Sequence, residues 1–339
     1  MLSRSRHPCL HSRFSSILRP STVNVRAYAT KVDIKALKKL RELNPVSITK
    51  AKEALINTDN DIERALEWLD KDALTSGAKK AEKVKDRTAS EGAIAMHIGD
   101  DLTAAAIIEL GCETDFVARN ATFVDLASGI AQSAMALTSP NSSAVLANIE
   151  LGLLASKMLG NRSIADTITE TIGRLGENVV LRRATTIGCA GASDSIVTSG
   201  YVHGGVPGSS GGSAGKIGSL VAIRSSIRNS QHRHALNQLA KRIAQQVVGY
   251  APRFATLKEW GEYTKTLKSD AADENPEAMV LEMQPFLFGG GTVGEVLAKV
   301  SKEIDAPVEI ASFVRYERGE GIEKPVKPSF AEEVRQQLG

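Results

Sequence analysis

The chain has 339 residues, of which 42% are hydrophobic and 24% charged, with a formal net charge of +3. That length allows two or three modest domains, each with its own core, and the composition is that of a globular protein, not a disordered or fibrous one. No apolar run approaches the roughly 20 residues of a membrane-spanning helix, so no membrane role is expected.

The first segment stands apart. Arg4, Arg6, Arg13, Arg19 and Arg26 lie among many serines, with no acid before Asp33. An Arg-rich, Ser-rich, acid-free start is the signature of an organellar transit peptide. The density of arginine favours a mitochondrial (matrix) address, with residues 1–28 removed near Tyr28–Ala29. Loss of those five arginines takes the net charge from +3 to −2. The body of the protein therefore lacks the basic footprint of a nucleic-acid binder. Cys9 leaves with the presequence. Cys112 and Cys189 have no CxxC partner and support neither a disulfide framework nor a zinc site.

Residues 31–72 read as three short helices. Asp33 is an N-cap for a first helix with Ile34, Leu37, Leu40 and Leu43 at helical spacing, which Pro45 ends. Ser47 caps a second with Ile48, Ala51 and Leu55 on one face, and Ile62, Ala65, Leu66 and Leu69 face inward on a third. So small a bundle is typical of a binding module. Residues 73–89 are Lys-rich without apolar period and read as a linker, helical at most in part.

From residue 90 the pattern changes. "EGAIAMHIGDDLTAAAIIELGC" is a hairpin signal; helical stretches follow it, and "NVVLRRATTIG" closes the series as a strand. The order then returns: "DSIVTSGYVHGG" and "GKIGSLVAIRSS" form a second hairpin, "QHRHALNQLAKRIAQQVVGY" a helix, and "VEIASFVRYERGEG" a late strand. The expectation is an α+β protein with a duplicated unit: two related subdomains, 90–195 and 196–320, each a small three-stranded antiparallel sheet packed on helices. Residues 321–339 form a C-terminal module with a short helix at "SFAEEVRQQ".

Reaction chemistry is hard to find. His232 and His234 are two apart and face different ways on a helix, so no metal site is expected, and HExxH and GxSxG do not occur. "SSGGSAGKIG" fails the phosphate-loop pattern at Ser210 and Ile217 and reads as a flexible hairpin tip. Gly289, Gly291 and Gly294 do fit GxGxxG, the basis of an alternative reading as a phosphate-ligand enzyme. Pro285 interrupts the preceding run, however, and a turn into a helix accounts for the glycines as well.

One stretch asks a different question. In "CETDFVARN" an aromatic, Phe116, follows Asp115 in a polar turn after the apolar run "AAAIIELG". Spacing alone leaves two readings open. Either Asp115 caps a helical turn and Phe116 plugs the core, or the pair is held out for a partner.

"TDFVARN" resembles the signature of the elongation factor Ts family, the guanine-nucleotide exchange factors of elongation factor Tu. "LRELNPVSITKAKEALINTDNDIERALEWLDK" is similar to the family's N-terminal module, a ubiquitin-associated-like three-helix fold. "GENVVLRRA", "GYVHGG", "QPFLF", "TVGEVL" and "FVRYERGEGIEK" resemble later family blocks in the same order. With the presequence, the resemblance is to the mitochondrial form. It implies a non-catalytic protein without cofactor or small-molecule substrate, whose partner is mitochondrial elongation factor Tu. It also assigns Asp115, Phe116 and Val117 to the contact that loosens GDP, with further contacts at Val46, Ser47 and Ile48 and at His203 and Gly204. The tip "GGVPGSSGGSAGK" is longer than the family's usual turn, and residues 256–283 are too short for the coiled coil inserted in bacterial members.

Overall fold

The computed structural model describes residues 32–44, 46, 48–138, 145–188, 195–207, 213–226, 230–266 and 275–323. The presequence, Ser47, Cys189, the hairpin tip at 208–212 and the C-terminal helix expected at "SFAEEVRQQ" lie outside them. The chain divides between Leu69 and Asp70 into two compact units.

The first unit is the expected three-helix module: α1 (Ile34–Leu43), α2 (Ile48–Asn57) and the start of α3 (Ile62–Val84). Asp33 caps α1 by accepting from Lys35 N. Ala36, Leu40, Ala51, Ala54, Leu55, Ala65 and Leu69 form its core. Small alanines set the buried face here, so three of the positions expected on it are displaced. Ile34 is 80% exposed, and Leu43 and Ile48 are exposed as well.

The second unit begins with the rest of α3. Residues 73–84, expected as linker, continue this helix, because Ala81 and Val84 anchor it on the following core. β1 (Glu91–Ile98) and β2 (Ala105–Cys112) then form the hairpin, in register from Glu91 opposite Cys112 to Ile98 opposite Ala105. After α4 (Asp115–Ala118) and α5 (Ala121–Met135) come β3 (Leu146–Asn148), α6 (Leu151–Ala155), the small hairpin β4 (Met158–Leu159) with β5 (Arg162–Ser163), α7 (Ile164–Leu175) and β6 (Val179–Ile187). β6 pairs with β2, so the order of the long strands is β6-β2-β1.

The same order returns in the second half. β7 (Ser195–His203) and β10 (Ile217–Ser225) are the hairpin, and β11 (Val308–Glu317) pairs with β10, giving β11-β10-β7. In both halves the third strand carries a register shift against the central one, at Glu109/Leu110 and at Ala222/Ile223. The shared strand order and shared irregularity are those of a duplicated unit. α8 (Ser230–Tyr250) covers the second sheet as α5 covers the first. α9 (Leu257–Thr266) and α10 (Pro276–Met279) lead to α11 (Val293–Glu303), which packs on β11.

The first sheet is wider than three strands. β3 lies beside β6 at one edge. At the other edge, β8 (Val206–Pro207) and β9 (Ser213–Gly215) extend it to six strands. β9 comes from the arm expected as a free hairpin tip, and it pairs across the halves: Ala214 is buried opposite Ala95 of β1. Pairing at this edge blunts it against foreign strands.

Three cores result. One lies between the first sheet and α5 with α7, and one between the second sheet and α8 with α11. The third joins the sheets themselves: Ile94, Ile107 and Ile187 of the first meet Ile196, Leu220 and Tyr316 of the second. β1 and β2 are therefore covered on both faces, which explains why "AAAIIELG" is apolar throughout and does not alternate.

Candidate partner-docking site

The conspicuous side chain of the second unit is Phe116, which is 84% exposed. Its setting is rigid. Every residue of β2 is buried, and the strand delivers the chain to Thr114, which caps α4 by accepting from Val117 N at 3.3 Å. Thr114 is the cap, not Asp115, and Phe116 is not in the core. The plug reading is thus excluded.

Below the turn two acids clamp it reciprocally to the loop before β6. Glu177 accepts from Thr114 N at 3.0 Å and from its hydroxyl at 2.6 Å. Glu113 accepts from Asn178 N at 2.7 Å and pairs with Arg87 at 3.6 Å. Asn178 donates its amide to the carbonyls of Lys85 and Arg87, after α3. Gly176, at φ +78°, ends α7 in the left-handed region and turns the chain into this clamp. A carboxylate accepting two such bonds holds its turn more firmly than neutral pairs do.

Val117, 9% exposed, joins the first core and pins α4 from beneath. Asp115 pairs with Arg119 at 2.8 Å on the surface. An exposed ion pair of this kind contributes under about 1 kcal/mol, so a partner can exchange it at small cost. Cys112 at the strand end is buried, and burial pushes its thiol up to about 12. It is a packing residue.

His203 and Gly204 lie elsewhere, at the end of β7. His203 is exposed, with its Nδ1 3.4 Å from the Tyr201 hydroxyl. Gly204 takes the left-handed conformation, φ +64°. Here the structure opens a groove of about 530 Å³, lined by Tyr201, His203, Ile217, Val248, Leu287 and Phe288. Leu287 and Phe288 stand out as exposed apolar groups, and Arg242 lies over the Phe288 ring at 5.6 Å. Sequence reasoning placed His203 here but missed Leu287 and Phe288. Two adjacent bulky apolar residues ahead of a triple-glycine turn were the available signal.

In the first unit Val46 is half-buried against the three-helix core and Ile48 is exposed at the start of α2. Ser47, between them, is outside the described residues.

The described residues of the two glycine clusters lie in a helix start and between two strands. Thr292 caps α11 in a capping box: Glu295 accepts from Thr292 N at 2.8 Å, and Thr292 Oγ1 accepts from Glu295 N at 3.2 Å. A carboxylate thus occupies the helix start where a phosphate would need to bind. Around Lys216, the residues on either side belong to strands β9 and β10, and no helix follows to receive a nucleotide. No group of three or more His, Cys, Asp or Glu among the described residues could hold a metal ion, and no described helix is long and apolar enough to cross a membrane.

These features define an α+β protein with an outward aromatic on a clamped turn and an apolar groove beside its second sheet. A family model described as elongation factor TS matches residues 113–275, from the first acid of the clamp onward. The chain is 35% identical to a protein named elongation factor Ts, mitochondrial, from Coprinopsis cinerea, over 90% of this chain and 98% of that one. It is 32% and 33% identical to elongation factor Ts proteins from two strains of Clostridium botulinum (Eklund 17B and ATCC 19397), over 91% of this chain and 99% and 98% of theirs. The chain belongs to the elongation factor Ts family of translation elongation factors.

Proposed function

We propose that the protein is a guanine-nucleotide exchange factor that binds mitochondrial elongation factor Tu and promotes release of GDP so that GTP can bind. The observation that carries this reading is Phe116, exposed on a turn fixed by Glu113, Glu177 and a buried strand. An aromatic kept out of its own core on so rigid a base is suited to enter another protein.

The mechanism is differential binding. A GTPase holds GDP through backbone–phosphate hydrogen bonds and a magnesium ion. An exchange factor binds the nucleotide-free partner more tightly than the GDP form, and by linkage weakens GDP by the same ratio. Loosening GDP a thousandfold takes roughly 4 kcal/mol of differential interaction. Phe116 supplies part of it by repacking side chains around the ion's outer contacts. Asp115 leaves Arg119 to bond the displaced segment. His203, in the groove, and Gly204 beside it dock another part of the partner, and Val46, Ser47 and Ile48 dock at its nucleotide-binding domain. The protein itself carries out no covalent step and holds no cofactor.

Within this reading, residues 31–72 are a docking module, 90–195 the subdomain that carries Phe116, 196–320 the subdomain that carries His203, and 321–339 a C-terminal module. A matrix location is supported by the Arg-rich, acid-free residues 1–28 and by the name of the Coprinopsis relative. Release of a fluorescent GDP from mitochondrial elongation factor Tu, with and without this protein, tests the proposal. Acceleration is expected. Unchanged release, with tight binding of GDP to this protein alone, would favour the phosphate-ligand reading instead.

A further inference from the structure

Glu109 belongs to neither docking surface. It lies in β2, 1% exposed. Its Oε1 accepts from Arg182 Nη1 and, at 2.8 Å, from Gly319 N, and its Oε2 accepts from Arg183 Nε at 2.6 Å. Arg183 Nη2 also donates to Glu317 O at 2.9 Å and to the Glu320 carboxylate at 2.8 Å. Arg182 Nη2 donates to Glu320 O at 3.0 Å, and the Arg183 guanidinium lies 4.0 Å over the Tyr316 ring.

Glu109, Arg182 and Arg183 belong to the first sheet. Tyr316 to Glu320 belong to the last strand of the second sheet and the turn after it. Every donor to the Glu109 carboxylate therefore comes from the second sheet's strand end or is itself bonded to it.

Local irregularities make this arrangement possible. On a regular strand, neighbours such as Arg182 and Arg183 point to opposite faces. The register shift opposite Glu109/Leu110 leaves Arg182 as the extra residue and lets both arginines reach one carboxylate. On the other side, Gly319 has φ +70°, and a Cβ there would stand 2.3 Å from Ser90 O. Only glycine lets the turn lie this close to the first sheet.

Apolar contact between the sheets is non-directional and tolerates sliding. Charge-assisted hydrogen bonds with fixed geometry select one arrangement. We infer that Glu109 is a positioning residue that locks the two sheets at one angle, so that the Phe116 turn on the first and the His203 groove on the second meet the partner together. The tie stands on the geometry alone; its consequence for docking rests on the exchange-factor reading. Two contacts on one rigid body engage as an intramolecular pair, and a loose joint lowers the effective concentration of the second.

The tie is tested with spin labels at Thr122→Cys on α5 and Lys299→Cys on α11, both exposed positions, with Cys9 and Cys189 replaced by serine. One narrow label–label distance is expected. Glu109→Gln should broaden or shift it. Arg183→Lys, which keeps the charge and loses the fork, should act the same way and serves if Glu109→Gln does not fold. In the unlabelled variants the factor concentration for half-maximal GDP release should rise about tenfold, with the saturated rate within about twofold of the parent. A purely structural role would lower the melting temperature and the active fraction without moving the half-saturating concentration. Unchanged distances in folded variants overturn the tie. Changed distances with an unmoved half-saturating concentration overturn its role in docking. If the parent itself does not accelerate GDP release, the exchange reading fails, and the label distances decide the tie.

Discussion

Replacing Phe116 by alanine separates the proposed docking role of the ring from any role in folding. A fully buried phenylalanine costs about 3–5 kcal/mol on truncation. With Phe116 84% exposed, about a sixth of that applies, roughly 0.5–0.8 kcal/mol. Alanine's better helix propensity in α4 returns up to about 0.5 kcal/mol. At about 2–4 °C per kcal/mol, the melting temperature should fall by no more than about 3 °C. Docking is another matter. A central aromatic anchor costs about 2 kcal/mol or more, so GDP release at sub-saturating factor should slow about 30-fold. Stopped-flow release of fluorescent GDP from elongation factor Tu, beside a melting curve, reads both. A drop of 10 °C or more would show that Phe116 supports the fold. A normal melt with normal exchange would remove the turn from the mechanism.

Glu177→Ala should slow exchange with Phe116 intact, because Thr114 loses both bonds that hold its turn; restoration by Glu177→Gln would show that the bonds matter more than the charge. Asp115→Ala combined with Phe116→Ala should be less than additive in the release assay, since neighbours share one site. Ala214→Asp places a charge in the β1–β9 contact and should destabilise the protein by about 3 kcal/mol in urea melts, whereas shortening 208–212 alone should change little. With its thiol pushed up to about 12 by burial, Cys112 has only about 10⁻⁴ thiolate at pH 8 and should escape alkylation in the native state, as peptide mapping would show. Deletion of residues 1–28 should abolish mitochondrial import and leave exchange in vitro unchanged; efficient import of the truncated chain would refute the presequence.

Much of the fold was legible because the relevant signals are local. The Asp33 cap, the hairpin at 91–112 and the duplicated strand order all follow from period and turn chemistry within a few residues. Residues 73–84 read as a tether because Ala81 and Val84, which make them a helix, gain from a core made by distant strands. The arm at 206–215 read as a free tip because strand pairing to β1 leaves no trace in a Gly/Ser sequence. Phe116 could be noticed from spacing, but its direction could not. Whether an aromatic after a strand points in or out depends on Thr114 and Glu177, 63 residues apart in the chain. The Glu109 tie was invisible for the same reason, since its partners come from β6 and from the turn after β11, 73 to 210 residues away.

The central claim is differential binding, and titration calorimetry of this protein into elongation factor Tu tests it most directly, once with the partner nucleotide-free and once saturated with GDP. The account predicts tighter binding to the nucleotide-free form by about a thousandfold, and a matching loss of GDP affinity when the factor is bound. Equal affinity for the two forms would contradict it, because a ligand that does not distinguish two states cannot shift the balance between them.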